Sequence, residues 1–224
     1  MSHLKSGWFK AASLVVALGA LFFSICFYFG YWNFYRFQRE KQEIRSLEKD
    51  FNRLENRLKK AVNFYPHPLF LTELGRLRIL RAMAEIEFGE REASEPYLDG
   101  AAASLKKGVW LNPVDHTLFW EMSKVYFLYN YPLLTYAPKG RLLCREAVRR
   151  HPFNEFLVVN VLVVFLEQWS LLEPEEKTWV QETLNRLLSV NPGFLGRLKA
   201  RWRQSYRETS NLIEKLAELG MKAE

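Results

Sequence analysis

Residues 11–35 contain no side chain that is charged at neutral pH and are rich in Leu, Val, Ala and Phe. As a helix rising 1.5 Å per residue the run covers roughly 37 Å, enough to cross a hydrocarbon core of about 30 Å with some tilt. Its ends carry amphipathic rings suited to headgroup depth, Trp8 and Phe9 on one side and Tyr28, Tyr31, Trp32 and Tyr35 on the other. A cleaved signal peptide is the competing reading. Against it, the apolar run continues past the small residues at 17–20, and the residues beyond them are bulky and aromatic. The sequence therefore predicts a short tail (residues 1–10) and an uncleaved single-pass membrane helix (residues 11–35).

The flanks of this run disagree about orientation. Lys5 and Lys10 precede it, whereas Arg36, Arg39, Lys41, Arg45 and Lys49 lie beyond it, and a count of basic residues alone places the large domain in the cytoplasm. A short basic tail ahead of a single anchor is, however, a common arrangement for export, so the expectation adopted is an extracytoplasmic domain. Net charge is +7, from 32 basic and 25 acidic residues spread over several segments. That balance suits either proximity to anionic lipid or an ordinary solvated surface. Cys26 lies inside the apolar run and Cys144 far from it, so no disulfide framework is indicated.

No Gly or Pro occurs between Tyr31 and Phe64, and Phe37, Ile44, Leu47, Phe51, Leu54, Leu58 and Ala61 fall on steps of three and four, with one polar lapse at Glu40. This predicts a helical stalk over residues 36–62, continuous with the membrane helix, whose stripe either pairs with a partner as a coiled coil or docks on the chain's own next domain. Beyond it the sequence is punctuated by Pro68, Pro113, Pro152 and Pro192, spaced roughly 40 residues apart, each closing one amphipathic stretch and opening another. Glu173-Pro174-Glu175-Glu176, Ser94-Glu95-Pro96 and Asp115-His116 read as helix starts. A connecting loop is expected at Tyr131-Pro132 and Ala137-Pro138. Residues 156–166 are apolar nearly all round apart from Asn160, too short to cross a bilayer, and so predict a helix buried on every face.

Around these prolines the residues resemble the tetratricopeptide repeat family. The bulky first-helix positions match Phe119, Met122 and Tyr126, with small Ser123 beside them, and then Val158, Val161 and Phe165. The second-helix packing positions match Ala101, Leu105 and Gly108, then Gly140, Cys144 and Ala147, then Val180, Leu184 and Leu187. The resemblance covers about residues 63–207. It departs from the family in its longer period, with extra residues placed at 89–95, 131–139 and 170–174. It departs also at Arg81, where an aromatic is expected, and at Trp202 and Tyr206, which fall one step late.

The resemblance implies an all-α fold for residues 63–224, an antiparallel helix-pair superhelix whose first helices line a groove for a peptide or helix. By offset, the groove positions are Thr117, Trp120, Lys124 and Phe127, then Phe156, Val159, Val163 and Leu166, then Lys199 and Arg203. An apolar floor with basic edges suits an amphipathic partner helix with acidic flanks. Equally, the C-terminal helix expected at 211–219, or the stalk, fills the groove itself. The basic run 196–203 reads as a solvated helix face beside apolar Leu195, Leu198, Trp202 and Tyr206, with lipid headgroups and then nucleic acid as the other readings.

Nothing in the sequence points to catalysis. His3, His67, His116 and His151 have no zinc-ligand spacing, and there is no glycine-rich phosphate loop or nucleophile elbow. No cofactor or metal is expected. The sequence therefore predicts a membrane-anchored scaffold or adaptor that holds a partner protein. Alternatives are a structural accessory subunit of a membrane complex, held by its membrane helix and stalk, and a cell-envelope assembly factor.

Overall fold

The computed structural model describes the backbone of residues 2–43, 47–133, 135, 137–205 and 210–219, and the side chains of residues 12–43, 49–133, 135, 137–204 and 212–219. The side chains of Lys5, Trp8, Phe9, Lys10, Leu47 and Asn211 lie outside that set, as do residues Ile44, Arg45 and Tyr206. Ten α-helices and one 3-10 turn make up the described chain, with no strand among the described residues. The fold is all-α. The chain divides into two compact units, Met1–Gly140 and Arg141–Glu224.

In the first unit, α1 (Ser2–Gln42) is one unbroken helix. Within its stretch Ala12–Gln42 an 18-residue window reaches a mean hydropathy of 2.2, and the helix is long and apolar enough to span a membrane. α2 (Leu47–Phe64) does not extend this helix as an outward stalk. It runs back antiparallel along α1, with Arg53 and Arg57 reaching Glu40 from the middle of α2 and Ala61 and Tyr65 against Gly30 at and just beyond its end. The reason is burial. A stripe of three heptads exposed to water gains nothing, whereas reversal buries Phe37, Phe51, Leu54, Leu58 and Ala61 in one core with Phe70, Leu71, Leu74 and Leu77 of α3. The stripe is thus taken up by the chain itself.

α3 (Pro68–Glu87) starts on Pro68, whose missing N–H is no loss in a first turn, with the His67 side chain accepting from the Leu69 amide. It ends at Gly89, whose φ of +81° is natural only for glycine. Because that reversal is so tight, α4 (Arg91–Leu111) begins a turn earlier than Ser94-Glu95-Pro96 predicts, and Pro96 lies inside the helix. α3 and α4 form the most extensive helix contact, and Gly75 lets them close: a Cβ there would come within 2.7 Å of Leu105. α5 (His116–Leu128) is capped by Asp115, which accepts from the Thr117 amide at 2.9 Å. It packs on α4 where Gly108 makes room for Leu118.

α6 (Ala137–Arg150) crosses the division between the units. In the second unit, α7 (Glu155–Glu167) is succeeded by the 3-10 turn Trp169–Leu171, α8 (Pro174–Val190), α9 (Phe194–Ser205) and α10 (Ser210–Glu218). α8 opens at the expected helix start, where the structure adds a capping box with the Glu173 amide donating to Glu176 Oε2. Glu176 also anchors the buried Arg141 through a 2.8 Å bond, and Arg141 reaches Gln168 at 3.1 Å. α7 is buried along most of its circumference, as its composition requires. All the packing positions that carry the resemblance, from Ala101 to Leu187, are buried.

Candidate partner-binding cleft

Asn154 sets the start of α7, its Oδ1 accepting from the Leu157 amide at 3.1 Å. That cap leaves Phe156 on the outer side of the first turn, 76% exposed, while the next seven residues, 157–163, are buried. α9 packs on α7 through Phe194, Leu198 and Trp202, one residue per helical turn. This seats Arg197 and Arg201, each one step before the buried stripe, along the edge facing α7. Arg197 Nε donates to Glu155 at 2.7 Å and Arg201 Nε to Asn160 Oδ1 at 2.8 Å. Asn160 is itself fixed by donating to the Phe156 carbonyl at 2.7 Å.

Between these two polar bridges lies an open cleft of about 340 Å³, with Phe156, Val159 and Ala200 as its apolar surface and Glu155, Asn160, Arg197, Arg201 and Gln204 at its edge. Chemically it can take an apolar side chain from a partner and offer a carboxylate beside it the guanidinium of Arg201, whose partners Asn160 and Gln204 are uncharged. Further clefts, of about 420 Å³ around Arg36, Arg39 and Arg53 and about 370 Å³ around Arg145, Arg149 and Arg186, are lined by arginines that share their walls with acidic side chains. Among the described residues, no group of three or more His, Cys, Asp or Glu side chains is placed to hold a metal ion.

The ten groove positions named from the sequence fall into both units. Thr117, whose amide donates to the Asp115 cap, Trp120, Lys124 and Phe127 belong to the first. There, Lys124 lies over the Trp120 ring at 5.2 Å and donates to Glu121, and Phe127 covers Gly140, where a Cβ would come within 2.6 Å of the ring. In the second unit Phe156 and Val159 line the cleft, but Val163 and Leu166 are core residues, 6% and 0% exposed. α10 closes that end of the unit, with Trp169 Nε1 bonded to Glu218 and Lys215 over Trp202. Lys199 and Arg203 are not part of the cleft lining; Arg197 and Arg201 stand there instead. The shift arises because α9 buries Phe194 fully and Leu195 only partly, which rotates the helix from the phase that Leu195, Leu198 and Trp202 suggest.

Compared with known proteins, the chain matches no protein-family model and none of the curated proteins.

Proposed function

We propose that this protein is a single-pass membrane adaptor, in which α1 crosses the bilayer and the α7–α9 cleft holds a segment of a partner protein. The observation that carries the reading is Phe156: a large aromatic residue left 76% exposed at the mouth of an apolar cleft, on a helix whose next seven residues are buried. A side chain of that size held out in water is what a binding hot spot requires. Arg197 is paired with Glu155, whereas Arg201 is bonded to the neutral Asn160 and Gln204 and favours an acidic flank, so the partner segment is a short amphipathic helix with Asp or Glu beside its apolar anchor. The helical-hairpin resemblance supports the same role, since Pro68, Pro113, Pro152 and Pro192 each stand where one helix ends and another begins. Lys5 and Lys10 ahead of the apolar stretch support an extracytoplasmic side for the chain beyond α1.

A pull-down from detergent-solubilised membranes tests the proposal. Wild type is compared with Phe156→Glu and with Phe153→Glu, which alters an equally exposed aromatic residue outside the cleft. Both variants are expected to keep wild-type helicity by circular dichroism. A specific protein retained by wild type and Phe153→Glu and lost from Phe156→Glu supports the cleft. Identical partners for all three would move attention to α1 and the structural-subunit reading.

A further inference from the structure

The turn joining α2 to α3 is seated against the apolar stretch of α1 instead of beside its charged end. Tyr65 packs edge-on to Phe23 and Phe27, with ring centroids 5.7 and 5.2 Å apart, and Phe64 stacks on Phe29 at 5.4 Å. Tyr31 closes the other side of the turn against Phe70 at 5.0 Å. Gly30 permits the approach, since a Cβ at that position would lie 2.7 Å from Tyr65 Cβ. From Ala12 to Gly30 α1 rises roughly 27 Å, close to the thickness of a hydrocarbon core.

The composition of the turn matches that depth. No residue between Lys60 and Glu73 bears a formal charge. Pro66 and Pro68 present no N–H that lipid would leave without a partner. The His67 Nδ1 accepts from the Leu69 amide, and burial lowers the imidazole pKa from its ordinary value, both of which favour the uncharged ring. Phe64 and Leu69 are nevertheless 43% exposed each, and they continue the exposed rings of Tyr28, Phe29 and Trp32 on α1. Charge resumes farther along the hairpin, where Arg36, Arg39 and Arg53 line one cleft on the side that anionic headgroups would occupy.

We propose that the turn at residues 64–69 inserts into the boundary between acyl chains and headgroups, so that the first unit is seated on lipid as well as tethered to it. The inference rests on the proposed membrane crossing of α1. Phe64 and Leu69 supply the inserted apolar surface, the Tyr65 ring stacks hold the turn at fixed depth, and the arginines beyond it set the limit of insertion. The seat would fix how the first unit meets the membrane surface.

Spin labels in the full chain, reconstituted in mixed phosphatidylcholine and phosphatidylglycerol vesicles, test this. Cys26 is replaced by Ala, the fully buried Cys144 is left in place, and single cysteines are introduced as Phe64→Cys, Leu69→Cys, Leu18→Cys and Val114→Cys. Collision of each label with oxygen, which partitions into lipid, is compared with collision with a water-soluble nickel chelate. The labels at 64 and 69 are expected to favour oxygen several-fold over the label at 114, at values between those of 114 and 18. Values at 64 and 69 equal to that at 114 overturn the proposal. Shielding from both reagents overturns it too, because a second copy or another protein would then cover the turn. A water-exposed label at 18 identifies failure of the membrane crossing itself, separately from failure of the seat.

Discussion

Glu73 shows how the first unit keeps a nearly buried carboxylate ionised. It is 6% exposed and accepts from Lys41 at 2.7 Å and Arg76 at 2.8 Å, and Arg76 in turn donates to the buried Glu121. Burial alone would raise the Glu73 pKa, but the two cationic donors more than offset it and hold the carboxyl below its ordinary value. A carboxylate depressed in this way contributes stability that is fully present above its unfolded pKa of about 4.3 and lost as pH falls through the folded value. Glu73→Gln is expected to cost about 1–3 kcal/mol at neutral pH and to flatten the acid limb of the stability profile. Denaturant titrations from pH 7 down to about pH 3 would show both effects, and a variant with an unchanged acid limb would contradict the assignment. Phe156 and Leu166 make a second contrast on one helix. Leu166→Ala is expected to cost about 2–5 kcal/mol, whereas Phe156→Ser stays within about 0.5 kcal/mol, as thermal melts would report.

At the scale of elements, the sequence is most informative where a helix boundary has a local chemical cause. The helix starts at Asp115 and Glu173 are legible because each places polar side chains where orphan amides need partners, whereas the Asn154 cap of α7 emerges from the structure. The reversal after α1 is not legible in the same way. No Gly or Pro marks it, and it is decided by the tertiary gain of burying Phe37 against Phe51, Leu54 and Leu58. The early start of α4 is hidden for a related reason, since the left-handed Gly89 sets it instead of the residues around Pro96. In α9, Phe194 and Leu195 are both apolar, so periodicity alone does not choose between the phase that lines the cleft with Lys199 and Arg203 and the phase that presents Arg197 and Arg201. The hairpin itself makes a direct prediction. Gly30→Val would drive a side chain into Tyr65 Cβ and the Ala61 carbonyl, and is expected to destabilise the α1–α2 contact by about 1–3 kcal/mol. A midpoint of unfolding in detergent equal to wild type would contradict the packing.

Across the whole molecule, the long apolar helix and the candidate cleft fall to different units. The apolar α1 and its fold-back partner belong to the first unit, and the Phe156 cleft belongs to the second. The long apolar helix and the all-α class are readable from composition and pattern, because both depend on period and charge alone. The cleft is only half readable, since Val163 and Leu166 share the apolarity of Phe156 and only packing tells core from surface. The central claim is that Phe156 meets a partner while the protein sits in its membrane. Photo-crosslinking in intact membranes tests it most directly, with a photoreactive side chain placed at Phe156 and, as the reference, at Phe153. The expected result is a discrete cross-linked protein from position 156 that is missing from position 153, and that disappears when Arg201 is replaced by Glu. Cross-links that are absent from position 156, or the same from both positions, would contradict it.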